Sequence, residues 1–459
     1  MNICAVILAA GVGKRMKSRR PKVLHPIAGR PMIDYAIRTA TAVTGSKPYV
    51  VVGHEGALVQ QALGDSAHFV WQQEQLGTGH AVLAAREALS AADVVLVLYG
   101  DTPFVRPETL RRLLDQHLLV HAQVSPLTVI SDDSMGFGRI VRDARGEITG
   151  IVEEAVATPE QLQIKELNCG VYCFDAAWLW QNLPRLPLRP KGEYYLTDTV
   201  ELAVKQDARL SSFAIEDIDE VIGINDRLLL ARAQKAVRDR IRDRWMRAGV
   251  TLADPASIYI DADVEIAPDV TILANTHLLG RCVVDEEAVI GPNSIVRDSR
   301  IGARCVVTAS VLEEAIMEDD SNIGPFSHLR PGARIGRFTH LGNYAEVKNS
   351  TLGEHVSMGH FSYIGDASVG DAANIGAGTI TCNYDGVRKN HTEIGASAFV
   401  GSDTMLVAPV SLGQGARTGA GAVVTKDVPA DSMAVGVPAR VIRRGLSKEA
   451  ASGASTEAD

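Results

Sequence analysis

Two rhythms of apolar and polar residues divide the chain. Up to about residue 224, short β-branched runs (Ile3 to Leu8, Tyr49 to Val52, Val94 to Leu98) alternate with stretches of helical periodicity such as Pro31 to Val43 and Gly79 to Leu89. That alternation predicts βαβ units around a mainly parallel sheet. A charge-rich segment from Asp226 to Arg247 follows, with Leu230, Ala233, Val237, Ile241 and Trp245 three or four residues apart and Gly249 placed as a C′ residue. It predicts one long connecting helix.

Beyond Val250 the period becomes six. Ile394, Val400, Leu406, Leu412, Thr418 and Val424 keep it, with Gly after four of them, and Leu352, Met358 and Ile364 form an earlier run. One inward residue per short strand, with small residues at the corners, predicts a parallel β-helix of triangular section. The expected organisation is a first domain over 1–225, a linker helix over 226–249, a solenoid over 250–446 and a disordered tail over 447–459, small, polar and acidic.

Composition narrows the function. The 459 residues are 46% hydrophobic, and 46 Lys and Arg against 55 Asp and Glu leave a formal charge of −9. This argues against a general nucleic-acid or membrane-surface binder, so an anionic ligand must be met by local cations. Six scattered cysteines without C-x-x-C spacing read as reduced thiols of a cytoplasmic protein. The apolar N-terminus lacks a basic flank and runs into a Gly-rich loop, and no apolar run approaches ~18 residues, so neither an export signal nor a membrane span is expected.

The first candidate chemistry lies in Leu8-Ala9-Ala10-Gly11-Val12-Gly13-Lys14-Arg15-Met16, followed by Pro21-Lys22. Two glycines let backbone N–H groups approach phosphate oxygens, and Arg15 and Lys22 neutralise charge. The spacing is neither that of the dinucleotide fold nor that of a Walker loop. The whole string resembles the signature of the sugar-1-phosphate nucleotidyltransferases, although Lys14 stands where that family usually has Thr. Further matches come in the family's order: Gln72, Gly77-Thr78, Tyr99-Gly100-Asp101, Gly136-Phe137-Gly138-Arg139, Glu153, Asn168 and Asn225.

The resemblance implies a Rossmann-like α/β domain in which Asp101 and Asn225 hold Mg²⁺. Leu8, Ala9, Ala10, Gly11, Lys22, Tyr99 and Gly100 would line the UTP and UDP-sugar site, with Arg15 and Lys22 as catalytic cations. Gln72, Gly77 and Thr78 would read uracil, and Gly138, Glu153 and Asn168 would hold an N-acetylated sugar.

The second candidate cluster interrupts the solenoid with polar residues that its corners do not need: Arg330, Glu346, Lys348, His360, Tyr363, Asn374 and the irregular Thr381 to Lys389. His360 falls two residues after inward Met358, which points it outward at a corner. Phe326 to Gly332, Glu346-Val347-Lys348, Gly359 to Asp366 and Asn374 to Gly386 resemble the acetyltransferase half of a bifunctional family, the N-acetylglucosamine-1-phosphate uridylyltransferase/glucosamine-1-phosphate N-acetyltransferases. The resemblance covers nearly all of 1–440 and implies a left-handed hexapeptide-repeat β-helix.

By that resemblance His360 is the general base of acetyl transfer, a role suited to an imidazole near neutral pH. Arg330 and Lys348 would grip the phosphate of glucosamine 1-phosphate, Tyr363 and Asn374 would position the sugar, and Glu346 would assist near the amine. Ala377, Asn383, Tyr384, Ser402 and Ala420 correspond to acetyl-CoA positions. The family commonly has an Arg within the segment that reads here Gly436-Val437-Pro438, leaving Arg440 or Arg443 to take that contact by a small register shift. The implied function is acetylation of glucosamine 1-phosphate followed by uridylyl transfer from UTP, feeding bacterial cell-wall precursors, in a homotrimer. The alternative is a single-reaction nucleotidyltransferase whose solenoid is structural or regulatory.

Overall fold

The computed structural model describes residues 1–190 and 192–446; the tail read from 447–459 lies outside the described residues. The chain divides into two units, the boundary falling between Val237 and Arg238. In the first, strands β1 (Ile3–Leu8), β2 (Tyr49–Val52), β3 (His68–Trp71), β4 (Val94–Tyr99), β5 (Val124–Ile130), β6 (Arg139–Arg142), β7 (Ile148–Val152), β8 (Glu166–Asp175) and β9 (Phe213–Ile215) form one sheet. Its main path runs β9-β5-β8-β4-β1-β2-β3, and β6 and β7 extend from β8.

The β4/β1, β1/β2, β2/β3 and β5/β9 pairs are parallel, as expected, but β8 is antiparallel to both of its main-path neighbours. It returns from the β6/β7 hairpin without a crossover helix, which a parallel strand would require.

Alternate residues of the central strands feed two cores. Ala5, Ile7, Val50, Val52, Leu96 and Leu98 pack on one face with α1 (Met32–Thr44) and α3 (Pro107–Leu119), while Val6, Leu8, Val51, Val95 and Val97 pack on the other. This is the two-sided burial of a doubly wound sheet. The second predicted helix is shorter than its periodicity suggested: α2 spans Thr78–Ala84, and the chain then continues through tight turns such as Arg86 N–H to Leu83 O. The long helix spans Arg227–Arg247, started by the Asp226 carboxylate, which accepts from Leu229 N–H at 2.8 Å, and followed by Gly249 at φ +94°.

The second unit is a left-handed parallel β-helix. Three sheets of twelve, ten and nine very short strands form its faces, and all but the last pairing are parallel. The six-residue column falls where predicted: Ile394, Val400, Leu406, Leu412, Thr418 and Val424 are each at most 2% exposed. Thr418 is admitted because its hydroxyl bonds Thr404 Oγ1 at 2.9 Å and receives Gly401 N–H at 2.9 Å. The glycines after inward residues are required by the next coil, since a Cβ on Gly395 or Gly401 would meet backbone atoms at 2.6 Å.

One coil departs from the repeat. Most neighbouring coils pair 16 to 18 positions apart, whereas Asn374 pairs with Phe399, Ile380 with Met405 and Thr392 with Ala367, each 25 apart. The extra chain is an excursion anchored by an isolated Tyr384–Lys389 bridge. Thr381, read from sequence as its start, belongs to the regular strand Ile380–Cys382: it is 1% exposed and accepts from Gly365 N–H at 2.8 Å. Its hydroxyl is a core group, so the irregular chain begins at Asn383.

Candidate functional site

In the first unit, strand order reverses at β1, which lies between β2 and β4. Ligands of open α/β sheets bind at such a point, beyond the carboxyl ends of the strands. Leu8 and Tyr99 are paired at those ends, and Gly100 N–H donates to Leu8 O at 3.0 Å, so the glycine loop and Asp101 leave the sheet together. Among the described residues, the N–H groups of Gly11, Val12, Gly13 and Lys14 have no acceptor. Gly13 has φ +63°, and a Cβ there would meet Lys22 Cβ at 2.7 Å, so glycine lets the loop lie against Lys22. Lys14 and Arg15 are exposed on the short turn that follows.

Lys22 donates to the Asp101 carboxylate and, at 3.0 Å, to Asn225 Oδ1. Its side chain is 13% exposed and that of Asp101 18%. Ile224 N–H donates to Asp101 O at 2.8 Å, which brings Asn225 to the sheet edge from far along the chain. The two residues read as metal ligands thus share one cation, an ammonium. Among the described residues no group of three or more His, Cys, Asp or Glu is arranged for a metal. One carboxylate and one amide oxygen still suit Mg²⁺, which keeps several waters and phosphate oxygens.

The remaining residues line two sides of this edge. Gln72 is buried, donates to Gly77 O at 3.1 Å and lies 3.0 Å from His80 Nδ1. Thr78 Oγ1 accepts from Leu196 N–H at 2.9 Å and bonds the Tyr99 hydroxyl, whose phenol burial holds well above its usual range. Gly77, at φ +95°, is packed so closely that a Cβ would meet Tyr194 O at 2.7 Å. On the antiparallel patch, Asn168 N–H donates to Gly138 O at 2.9 Å, Asn168 Oδ1 accepts from Tyr172 at 3.0 Å, and Glu153 accepts from Thr197 at 3.1 Å.

In the second unit, one face carries His328, Glu346, Tyr363 and Ile380 in direct register over four coils. Arg330 Nη1 donates to Glu346 Oε1 at 2.9 Å, and Lys348 ends the strand that carries Glu346. Tyr363 lies back over Gly365, at a position that any Cβ would occupy. Lys389, not singled out from sequence, stands against Lys348 and holds its ammonium below the usual lysine range; Arg330 adds to the effect. Like charges drawn together on an exposed face are eased by an anion between them.

His360 is exposed at the corner leading into that face. Ala377, Ser402 and Ala420 occupy the same corner in the following coils, linked by Gly378 N–H to Phe361 O, Asp403 N–H to Ala377 O and Gly421 N–H to Ser402 O, at 2.6, 2.6 and 2.8 Å. Asn374 lies on the neighbouring face, in register with Phe399, across the corner from Tyr363. Tyr384 is exposed, with its hydroxyl on Gly386 O at 2.7 Å. Arg440 is exposed on the closing strand Arg440–Arg444, where its guanidinium donates to Ala439 O at 3.2 Å.

Comparison with known proteins accounts for both units. Residues 5–136 match the model of a MobA-like NTP transferase domain. Over 433 residues, 94% of each chain, the sequence is 46% identical to the bifunctional protein GlmU of Heliobacterium modesticaldum. It is 43% identical over 446 residues, 97% of each chain, to that of Streptococcus equi subsp. zooepidemicus. Identity to that of Stutzerimonas stutzeri is 46% over 439 residues, 95% of this chain and 96% of the relative.

Proposed function

The chain belongs to the family of bifunctional GlmU proteins, and on that premise we propose how its two units divide the work. It is a glucosamine-1-phosphate N-acetyltransferase and an N-acetylglucosamine-1-phosphate uridylyltransferase, acting in the synthesis of cell-wall precursors. The second unit acetylates the amine with acetyl-CoA. The first then joins the acetylated sugar phosphate to the uridylyl group of UTP and releases pyrophosphate.

The observation that carries this reading is the position of one exposed imidazole, His360, at the corner leading into a face that carries Arg330 and Lys348, with Lys389 against Lys348. The cations hold the sugar phosphate and Tyr363 orients the ring. His360 takes the amine proton as the nitrogen attacks the thioester carbon, and the carbon–sulfur bond breaks to release CoA. Asn374, Glu346 and the corner residues Ala377, Ser402 and Ala420, with Asn383, Tyr384 and Arg440, bound the rest of the two substrate sites.

In the first unit, a phosphate oxygen of the sugar attacks the α-phosphorus in line. Arg15, Lys22 and the open N–H groups of the loop steady the triphosphate and the developing charge. Asp101 and Asn225 would hold Mg²⁺, which when bound would supply further neutralisation of the phosphates. Gln72, Gly77 and Thr78 select uracil, and Gly138, Glu153 and Asn168 hold the sugar.

The working form is a homotrimer, located in the cytoplasm with both co-substrates. Its support is a run of exposed aromatics, Phe326, Tyr344 and Phe361, 61, 59 and 56% exposed, which follow the corner that carries His360. Contiguous apolar surface of this kind marks an interaction face. No helix among the described residues is long and apolar enough to cross a membrane.

The test is a mass-resolved assay with glucosamine 1-phosphate, acetyl-CoA, UTP and Mg²⁺, repeated with each omitted. UDP-N-acetylglucosamine is expected only from the full set, and the acetylated sugar phosphate is expected to accumulate without UTP. Failure to acetylate in any mixture overturns the assignment of the second unit.

A further inference from the structure

Among the described residues, Asp366 is the one buried carboxylate beside the cationic face, 8% exposed, and the chemistry proposed above gives it no role. Its Oδ1 accepts from Asn349 Nδ2 at 2.6 Å and its Oδ2 accepts from Asn383 Nδ2. Its backbone N–H donates to Lys348 O at 3.0 Å, and its carbonyl accepts from Thr392 N–H at 3.1 Å. Asn383 is the first residue of the excursion, and Thr392 is where the chain rejoins the coil. One residue therefore pins both ends of the excursion and the backbone of Lys348. Between those ends lie Tyr384 and Lys389, the latter against Lys348.

An ionised carboxylate only accepts hydrogen bonds, which suits two converging amide N–H₂ groups. Removing it leaves the Asn383 amide, 7% exposed, buried without that acceptor, a larger loss than the bond alone, while the exposed Asn349 amide can turn to water. The left-handed backbone at Asp366, φ +50°, is a conformation that Asp and Asn tolerate best.

We propose that Asp366 is a positioning residue for acetyl transfer, acting through Asn383 to hold Lys389 and Tyr384 against the cationic face. This rests on the reading of that face as the acetyltransferase site. His360, fixed on its own corner, does not depend on the clamp. Loosening the excursion should therefore weaken substrate capture far more than turnover.

The experiment compares full-length wild type, Asp366→Ala, Asp366→Asn, Asn383→Ala and the Asp366→Ala/Asn383→Ala double variant. Asp366→Ala is expected to raise KM for glucosamine 1-phosphate and acetyl-CoA by about 10-fold while kcat stays within about 3-fold. Asp366→Asn keeps the backbone preference and one acceptor oxygen and should fall between. In the Asn383→Ala background, Asp366→Ala should add less than about 2-fold, because the two act as one unit. Uridylyl transfer should be unchanged throughout.

Unchanged KM values, additive effects, or a fall in kcat alone with lowered thermal unfolding would overturn the proposal. If Asp366→Ala does not fold by circular dichroism, Asp366→Asn alone and with Asn383→Ala completes the same cycle. A wild type that turns over no glucosamine 1-phosphate would overturn the assignment of the site itself, and a normal wild type with normal variants would overturn only the clamp.

Discussion

Replacing Lys22 by methionine removes the ammonium from Asp101 and Asn225, the two oxygens that the proposed divalent cation needs, and keeps a side chain of similar length. Lys22 occupies Asp101 Oδ2 and Asn225 Oδ1, so a metal must compete with its ammonium for those oxygens. The ammonium, on a side chain 13% exposed, bonds the Asp101 carboxylate, 18% exposed, and the Asn225 amide oxygen, and such charge-assisted contacts are worth about 1.5 to 3 kcal/mol. Relieved of that competition, Lys22→Met should bind metal about 10- to 150-fold more tightly. Uridylyl turnover should fall at the same time, because the triphosphate loses a cation.

The two effects have opposite signs, which separates them from simple damage to the site. Mn²⁺ titration without nucleotide, read by electron paramagnetic resonance of the free aqua ion, measures the first, with Asp101→Ala as the non-binding control. Equal or weaker Mn²⁺ affinity in Lys22→Met would refute the claim that the two cations compete.

Further outcomes follow from other parts of the molecule. His360→Ala should slow acetyl transfer by about 10²- to 10⁴-fold, the usual worth of a positioned general base, and leave uridylyl transfer untouched in a coupled assay. Leu406→Ala, at a fully buried position of the six-residue column, should destabilise the β-helix by about 2 to 5 kcal/mol in urea unfolding. Burial pushes His117 down from 6.5 to about 4, against a smaller opposing pull from Asp175, and its Nδ1 lies 2.9 Å from Ser125 Oγ. The unfolded chain therefore binds a proton that the native one refuses. Stability from this residue is complete above about pH 6.5 and is lost as the pH falls towards 4, by about 3 kcal/mol in all. Urea midpoints across that range should show the slope in wild type and lack it in His117→Gln.

What the sequence disclosed follows from the range of the interactions. The Ile3–Leu8 strand, the glycine loop and the Arg227–Arg247 helix are set by neighbouring residues, and the six-residue column repeats its evidence in every coil. Asp101 and Asn225 were legible only as members of an ordered set of matches, and their shared contact with Lys22 was not. The antiparallel β8 carries no mark in its own residues, because direction depends on the route by which the chain returns.

Thr381 was misplaced because a hydroxyl facing the core looks, in a list of residues, like a hydroxyl facing solvent. Lys389 and Asp366 were missed for a related reason. Their partners sit one or more coils away, and the excursion shifts the expected spacing from 18 to 25 just where those partners meet. A search for polar residues at coil spacing on either side of the break would have found Lys348 and Asp366, which are 18 apart.

That break also bears on how such a chain acquires new chemistry. The strands on both sides keep their partners in all three sheets although the intervening chain is several residues longer. Length at a corner is thus decoupled from the position of every later strand, in contrast to a sheet, where one added residue turns every following side chain to the other side. A corner of this solenoid is a splice point: segments of different length can be exchanged there, each bringing its own reactive groups, while the stack above and below keeps its register.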